Sequence, residues 1–192
     1  PVKCGYETGT AFFIDSQHLL TAYHVVVDHI IDNATSIFII VDGNTIVCTA
    51  KDLGEKIDIA ILTCIDFVND AKPFNLLAST CRTGQDLVIV GYPQEIGNCV
   101  DAFRVDVSAS RGFNDTSRGF DAMVVRKDDV AFHSYSGFSG SPVINEFLSV
   151  VGVVTDQLHN TLGYTSIRIA KEKLIESGFP PFSNDDEEDT SS

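Results

Sequence analysis

The sequence predicts an all-β protein, and three observations support that prediction. The apolar stretches are short, rich in β-branched residues and bounded by turn-forming residues, which is the pattern of strands. They follow one another without the long helical segments that a parallel α/β sheet needs between its strands. Asp42-Gly43-Asn44 separates two of these stretches and is a strong hairpin signal. The predicted strands cover residues 11–14, 37–41, 46–48, 57–62, 87–90, 103–107, 123–125, 143–144, 150–155 and 164–169.

Only two segments have a helical pattern. Residues 23–28 form one short run, and residues 171–177 place Leu174 and Ile175 on one side of a helix. Gly178 follows at the position where glycine commonly ends a helix. We therefore expect short helices attached to a β-structure, and a barrel and a sandwich fit the composition equally well.

The composition is that of a globular, acidic protein. Its 192 residues are enough for one large domain or two small ones, and 44% of them are hydrophobic. No apolar run approaches the roughly 18–20 residues of a membrane span, so we predict no membrane partner. The net charge of −14 would repel phosphate groups and argues against nucleic acid as a partner. Residues 183–192 are acidic and lack apolar side chains, which predicts a disordered tail or a linker to a further domain.

The five cysteines indicate thiols rather than a disulfide framework. An odd number cannot pair completely within one chain, and none of them has the Cys-x-x-Cys spacing that would support a zinc site. We expect reduced, mostly buried thiols in an intracellular, cytoplasmic protein, with no metal ion.

Three segments contain the groups that together activate a hydroxyl. His24 ends one apolar run, Asp58 opens another, and Ser139 lies between two glycines ahead of a third. A serine hydroxyl attacks a carbonyl at neutral pH when a base removes its proton and an acid orients the base. His24 is therefore the candidate base, Asp58 the orienting acid and Ser139 the nucleophile.

Three nearby acids compete with Asp58 for the orienting role. Asp52, Glu55 and Asp66 lie within a few residues of it. Only Asp58 leads directly into the apolar strand, so we assign the role to Asp58.

The three segments resemble the motifs of one family. Thr21-Ala22-Tyr23-His24, Asp58-Ile59-Ala60-Ile61-Leu62 and Gly137-Phe138-Ser139-Gly140-Ser141-Pro142 are similar to those around the catalytic residues of trypsin-like (chymotrypsin-fold) serine peptidases. The resemblance is closest to the disulfide-free, Htr-like branch and extends over residues 8–170. The order of the motifs and their intervals suit a compact member with short loops.

The resemblance implies a fold, a domain division and an activity. The fold would be two six-stranded antiparallel β-barrels with the active site in the cleft between them, followed by a short helix. The first barrel would span residues 1–75 and the second barrel with its helix residues 76–182. The activity would be that of a serine endopeptidase, which forms an acyl-enzyme on a protein or peptide substrate and needs no cofactor.

The resemblance also implies roles for residues near the nucleophile. The backbone N–H groups of Gly137 and Ser139 would form the oxyanion hole, and Thr155 would bond to the catalytic acid. Phe138 replaces an acid that in trypsins pairs with a newly cut N-terminal amine, so that route of activation is excluded. The specificity pocket would be lined by His133, Ser134, Tyr135, Ser136, Thr155, Asp156 and Gln157.

The residue at position 133 bears on the choice of substrate. Trypsin-like cleavage after arginine or lysine requires an aspartate six residues before the nucleophile, and His133 occupies that place. The resemblance therefore predicts that cleavage after basic residues is disfavoured, although Asp156 would restore part of a preference for cations.

Two other functions remain open at the level of sequence. The chain could be a non-catalytic module of the trypsin fold that holds a peptide or partner, or a protease restricted to itself or to one partner. Retention of His24, Asp58 and Ser139 together favours the active enzyme.

Overall fold

The computed structural model describes residues 1–54, 56–69, 71–94, 99–110, 121–127, 135–158 and 161–183. Most of the regular structure is β, as the sequence predicts, with two helices. The elements are β1 (Val2–Cys4), β2 (Glu7–Gly9), β3 (Phe12–Phe13), β4 (His18–Ala22), α1 (Tyr23–Ile31), β5 (Ile37–Val41), β6 (Asn44–Asp52), β7 (Ile59–Cys64), β8 (Leu77–Ala78), β9 (Asp86–Gly91), β10 (Asp101–Ser110), β11 (Ala122–Arg126), β12 (Pro142–Ile144), β13 (Val150–Leu158), β14 (Thr161–Ser166), α2 (Ile167–Glu176) and β15 (Phe182–Ser183).

The N-terminal half is a curled antiparallel sheet in the order β2-β1-β5-β6-β7-β4-β3. Its β5–β6 hairpin is the one that the sequence predicts, with Val41 paired to Asn44. Asp42 and Gly43 have φ values of 49° and 80°. A two-residue turn with positive φ at both positions matches the twist of the strands it joins, which explains why this hairpin could be predicted.

The C-terminal half is a closed six-stranded barrel in the order β10-β11-β14-β13-β12-β9. This confirms the six-stranded barrel that the family resemblance implies for the second half. In the first half the sheet has seven strands rather than six. Strands β1 and β2 were not predicted from the sequence, because they are three residues each and too short to show the alternation that identifies a strand.

The two helices begin close to where sequence reasoning placed them. Helix α1 starts at Tyr23 as predicted and continues to Ile31. The prediction of a strand up to residue 169 was wrong, because α2 already begins at Ile167. Ile167, Ala170 and Leu174 are buried along one face of this helix, and a short apolar run does not distinguish that spacing from a buried strand.

The apolar core has three parts, and the third joins the two halves. One part fills the N-terminal sheet and one fills the C-terminal barrel. The third packs Leu20 and Ile59 of the first half against Val150, Val153 and Leu174 of the second. Each such side chain contributes on the order of 1.5–3 kcal/mol when fully buried, so this part holds the halves together. The predicted division at residue 75 stays a prediction, and most of the acidic tail lies outside the described residues.

All five cysteines are free thiols. Cys4, Cys48, Cys64 and Cys81 are buried and Cys99 is exposed. Cys48 and Cys64 are cross-strand partners whose sulfur atoms lie 3.6 Å apart. Burial raises the pKa of both thiols above the ordinary value and keeps them protonated and unreactive.

Candidate active site

Strand pairing brings the base and its acid together. Strand β4 leads directly into α1, so His24 lies in the first turn of that helix. β4 pairs antiparallel with β7, and Ala22 stands opposite Ile59. Asp58 immediately precedes Ile59, so this register places its carboxylate at the start of α1.

Asp58 makes three hydrogen bonds with the start of that helix. Its Oδ2 accepts from His24 Nδ1 at 2.8 Å, and its Oδ1 accepts from the His24 backbone N–H at 2.9 Å. Its carbonyl oxygen accepts from the Tyr23 backbone N–H at 3.0 Å. The first N–H groups of a helix lack partners within the helix, and Ala22 at the N-cap supplies none from its side chain. Asp58 therefore caps α1 and orients the imidazole at the same time.

The backbone of Asp58 is in the left-handed region, with φ of 52°. Aspartate and asparagine adopt this region more readily than most residues, because their short polar side chains are tolerated there. An asparagine replacement would therefore preserve the backbone, whereas most others would strain it.

The imidazole of His24 has a pKa raised above its ordinary value. Burial is the largest single influence and lowers the pKa. The hydrogen bond and the charge of Asp58 raise it, with smaller contributions from the charges of Glu7 and Asp156, and together these outweigh burial. Because Nδ1 donates to Asp58, the other ring nitrogen Nε2 is left to accept a proton.

Ser139 lies in a turn that requires glycine at two positions, 137 and 140. Gly137 and Gly140 flank it with φ values of 94° and 86°. A Cβ at Gly137 would lie 2.3 Å from the carbonyl oxygen of Tyr92, and one at Gly140 would lie 2.1 Å from that of Thr10. We call residues 137–141 the nucleophile turn.

The residue before the nucleophile belongs to the core. Phe138 is fully buried, and its ring packs edge-on against that of Phe103 with centroids 5.1 Å apart. An acid at this position would place a charge inside the barrel. This explains in physical terms why the chain departs here from the trypsin motif.

Thr10 joins the nucleophile turn to the other half of the molecule. Its backbone N–H donates to the carbonyl of Ser139 at 2.8 Å, and its hydroxyl donates to the carbonyl of Gly137 at 2.8 Å. The hydroxyl also accepts from the backbone N–H of Tyr92 at 3.0 Å. Thr10 is 3% exposed. Sequence reasoning missed this residue, because only the tertiary fold shows its partners more than 80 positions away.

His24 and Ser139 line one cleft between the two halves. Its volume is about 340 Å³. Among the described residues, Ser139 and His24 are not hydrogen-bonded to each other. The backbone N–H groups of Gly137 and Ser139 also donate to no backbone acceptor within the described part of the chain. The other lining residues are Glu7, Thr8, Val25, Tyr135, Ser136, Val154, Asp156, Gln157 and Leu162.

Four residues predicted for the specificity pocket line this cleft: Tyr135, Ser136, Asp156 and Gln157. The Thr155 hydroxyl lies 3.3 Å from that of Thr165, and its predicted bond to Asp58 stays a prediction. His133 and Ser134 lie outside the described residues. Sequence reasoning did not anticipate Glu7 and Thr8, because β2 carries no motif.

The competing acids are placed elsewhere. Asp52 accepts a hydrogen bond from the backbone N–H of Gly54 at 2.6 Å and so belongs to a turn. Asp66 is exposed, and Glu55 lies outside the described residues. In the described part of the chain no group of three or more His, Cys, Asp or Glu side chains could hold a metal ion, and no helix described here is long and apolar enough to cross a membrane.

Known families and structures agree with this architecture. Residues 9–153 match the model of the trypsin-like peptidase domain, so the chain belongs to that family and is a peptidase by family. This confirms the resemblance drawn from the three motifs. No curated protein matches the chain in sequence.

Solved structures share the fold at low sequence identity. The inactive form of the Rv3671c protease from M. tuberculosis is 22% identical, with a TM-score of 0.71 over 92% of this chain and 87% of that one. Deg5 is 20% identical, with a TM-score of 0.69 over 92% of this chain and 88% of its own. A serine endoprotease from Yersinia pestis is 19% identical, with a TM-score of 0.62 over 89% and 58%.

Proposed function

We propose that this chain is a serine endopeptidase that uses Ser139, His24 and Asp58 as a catalytic triad. The observation that supports this most directly is the Asp58–His24 hydrogen bond of 2.8 Å in the cleft that Ser139 also lines. The three residues come from different segments, and His24 and Ser139 line the same cleft, which supports the proposal. The family is that of peptidases, which makes a peptide bond the expected substrate.

Acylation would begin with attack of Ser139 Oγ on the carbonyl carbon of the scissile bond. His24 Nε2 takes the hydroxyl proton as the new C–O bond forms, and the carbonyl π electrons move to oxygen. The resulting imidazolium is stabilised by Asp58. The tetrahedral intermediate then collapses, the C–N bond breaks, and the amine leaves with the proton from His24.

Deacylation repeats the same steps with water. His24, neutral again, takes a proton from a water molecule that attacks the ester of the acyl-enzyme. Collapse of the second intermediate returns the proton to Ser139 Oγ and releases the carboxylic acid. The serine proton thus leaves with the amine and is replaced by a proton from the water, so the net reaction is hydrolysis of the peptide bond, and no step calls for a cofactor.

The oxyanion would be held by the N–H groups of Gly137 and Ser139. The carbonyl of Phe138, in the peptide unit that carries the Ser139 N–H, accepts from the Ser141 N–H at 2.9 Å. In a trans peptide the N–H points away from the C=O, so this bond turns the Ser139 N–H to the opposite side. Donors fixed before the reaction stabilise developing charge without reorganisation.

Labelling with a fluorophosphonate probe tests the proposal, because the probe bonds covalently to an activated serine. We expect the purified protein to be labelled at Ser139 and to cleave members of a peptide library. Ser139→Ala should lose both properties and keep its melting temperature. Ser141→Ala is the matched control, because that hydroxyl is fully buried and has no hydrogen-bond partner among the described residues.

One observation favours the second candidate, a non-catalytic peptide-binding module. No hydrogen bond joins Ser139 to His24 within the described residues, and a module that does not cut has no need of one. Catalytic hydrogen bonds are often long without substrate, so we retain the enzyme as the conclusion. A protein that binds library peptides but is neither labelled nor active would establish the module instead.

A further inference from the structure

Gln94 makes two hydrogen bonds to the residue before the nucleophile turn. The backbone N–H of Gln94 donates to the carbonyl of Ser136 at 2.8 Å. The hydroxyl of Ser136 donates to the side-chain Oε1 of Gln94 at 2.6 Å. The two residues lie 42 positions apart, so this is a tertiary contact between two loops of the second barrel.

The first of these bonds fixes the peptide unit that carries the Gly137 N–H. That unit consists of the Ser136 carbonyl and the Gly137 N–H, and the structure has no cis peptide bond in the part it describes. In a trans peptide the two groups point in opposite directions. Because the Ser136 carbonyl points at Gln94, the Gly137 N–H points away from Gln94. Ser136 and Gly137 both line the cleft, whereas Gln94 is not among the lining residues.

The backbone of residues 92–94 packs directly against Gly137 in the nucleophile turn. A Cβ at Gly137 would lie 2.8 Å from the backbone nitrogen of Gln94 and 2.3 Å from the carbonyl oxygen of Tyr92. The Tyr92 N–H is itself bonded to the hydroxyl of Thr10 at 3.0 Å. Residues 92–94 are thus connected to the N-terminal half, and rotation of the 136–137 peptide would break its bond to the Gln94 backbone N–H.

We propose that Gln94 is a positioning residue for the oxyanion hole: Gln94 holds the 136–137 peptide so that the Gly137 N–H faces the cleft. This inference rests on the proposed function. The bond from the Gln94 backbone N–H to the Ser136 carbonyl sets the direction of the peptide. The bond from the Ser136 hydroxyl to the Gln94 side chain keeps Ser136 in place. Gln94 itself does not touch the substrate.

The expected effect lies between that of one hydrogen bond and that of a lost donor. A single hydrogen bond is worth roughly a factor of five in an equilibrium, and removal of one oxyanion donor costs about 10²–10³ in kcat. Loss of the Gln94 side chain leaves its backbone bond in place. We therefore expect kcat to fall about 5- to 20-fold and KM to change less than 2-fold, because the oxyanion develops only after the substrate has bound and serine attack has begun.

The test compares Gln94→Leu with Gln94→Glu. Leucine cannot accept the Ser136 hydroxyl proton, whereas glutamate keeps an acceptor of the same length and should retain most of the activity. Ser136→Ala removes the same bond and should lower kcat at least as much as Gln94→Leu, and the effects of the two changes should not add in the double variant, because they share that bond. A peptide boronic acid forms a tetrahedral adduct with the serine. Its dissociation constant should increase in each variant by about the same factor as kcat decreases.

Gln85→Leu is the matched control. Its side chain also accepts a hydrogen bond, from the backbone N–H of Arg82 at 3.1 Å, but Gln85 is not among the residues that line the cleft. This variant should keep the kcat of the original protein.

Fluorophosphonate labelling of every variant separates this inference from the proposed function. Complete labelling with a lowered kcat and with rescue by Gln94→Glu would support the positioning role. An unchanged kcat in Gln94→Leu, a change in KM alone, or a lowered melting temperature without rescue by glutamate would overturn it. An original protein that is not labelled would overturn the proposed function, and this inference with it.

Discussion

Two carboxylates near His24 should slightly raise the pH at which the enzyme becomes active. Glu7 and Asp156 line the cleft, and their charges contribute to the raised pKa of His24. Only the neutral imidazole accepts the serine proton, so kcat/KM should rise with pH through an apparent pKa above the ordinary value of about 6.5. Removal of either charge makes the imidazolium less favourable. We therefore predict that Glu7→Gln and Asp156→Asn each move the acid limb to lower pH.

The size of the shift follows from the exposure of these groups. Glu7 is exposed and Asp156 partly so, so their interaction with His24 passes through water. Two unit charges about one Debye length apart in water interact by roughly 0.5 kcal/mol, which is about 0.4 in pKa. We expect each variant to shift the limb by about 0.2–0.4 pH, and the double variant by roughly the sum.

The assay is kcat/KM from about pH 5 to pH 9 on an uncharged peptide ester, so that the loss of charge does not alter substrate binding. Glu172→Gln is the control, because Glu172 is an exposed acid on α2 that does not line the cleft. Salt should reduce the difference between the variants and the original protein, because exposed charges are screened.

Three results would refute this reasoning. The limb could stay where it is in both variants, or move as far in Glu172→Gln as in the cleft variants, or move to higher pH. The first two would show that the two cleft acids do not act on His24, and the third that the titrating base is another group.

Three further predictions concern the acid, the thiols and Thr10. Asp58→Asn keeps the left-handed backbone but favours the wrong imidazole tautomer, and should lower kcat roughly 10⁴-fold, as the same change does in a trypsin-like triad. Asp52→Asn and Asp66→Asn should differ little from the original protein in the same assay, and the reverse order would mean that we chose the wrong acid. Activity should survive excess dithiothreitol because the structure contains only free thiols, and loss of the cooperative unfolding transition under these conditions would reveal a disulfide. Thr10→Val removes the partner of one buried and one partly buried backbone group and should lower the free energy of unfolding by about 2–4 kcal/mol in urea titrations. Thr10→Ser should keep most of that free energy, and equal losses in both variants would assign the effect to packing.

The parts of the fold that could be predicted are those with local signals. The β5 strand and its turn at Asp42-Gly43 were predictable because the turn type demands those residues. β1 and β2 were not, since their few residues become strands only by pairing with each other and with β5. The start of α2 was missed for the same reason, because burial of Ile167 depends on the surface that it packs against.

The candidate site divides in the same way. His24, Asp58 and Ser139 could be proposed from sequence because their chemistry requires particular side chains in motifs. Thr10 and Gln94 could not, because their main contribution is a hydrogen bond to a distant backbone group, and many residue types could be written there. Glu7 reaches the cleft through an edge strand without a motif. The side chains proposed to react could therefore be chosen from the sequence, whereas the residues that contact the surrounding backbone required the structure.

The glycine after the nucleophile has a second role that links the two halves of the site. A Cβ at Gly140 would overlap not only the carbonyl of Thr10 but also the Thr21 hydroxyl at 2.4 Å and the backbone nitrogen of Ala22 at 2.9 Å. Thr21 and Ala22 form the end of β4, which leads into α1 and His24. The nucleophile turn therefore rests directly on the strand that carries the base, and any side chain at position 140 would push the two apart. Glycine at position 140 therefore lets the nucleophile turn pack against the end of the strand that precedes His24, in addition to its role in the turn itself.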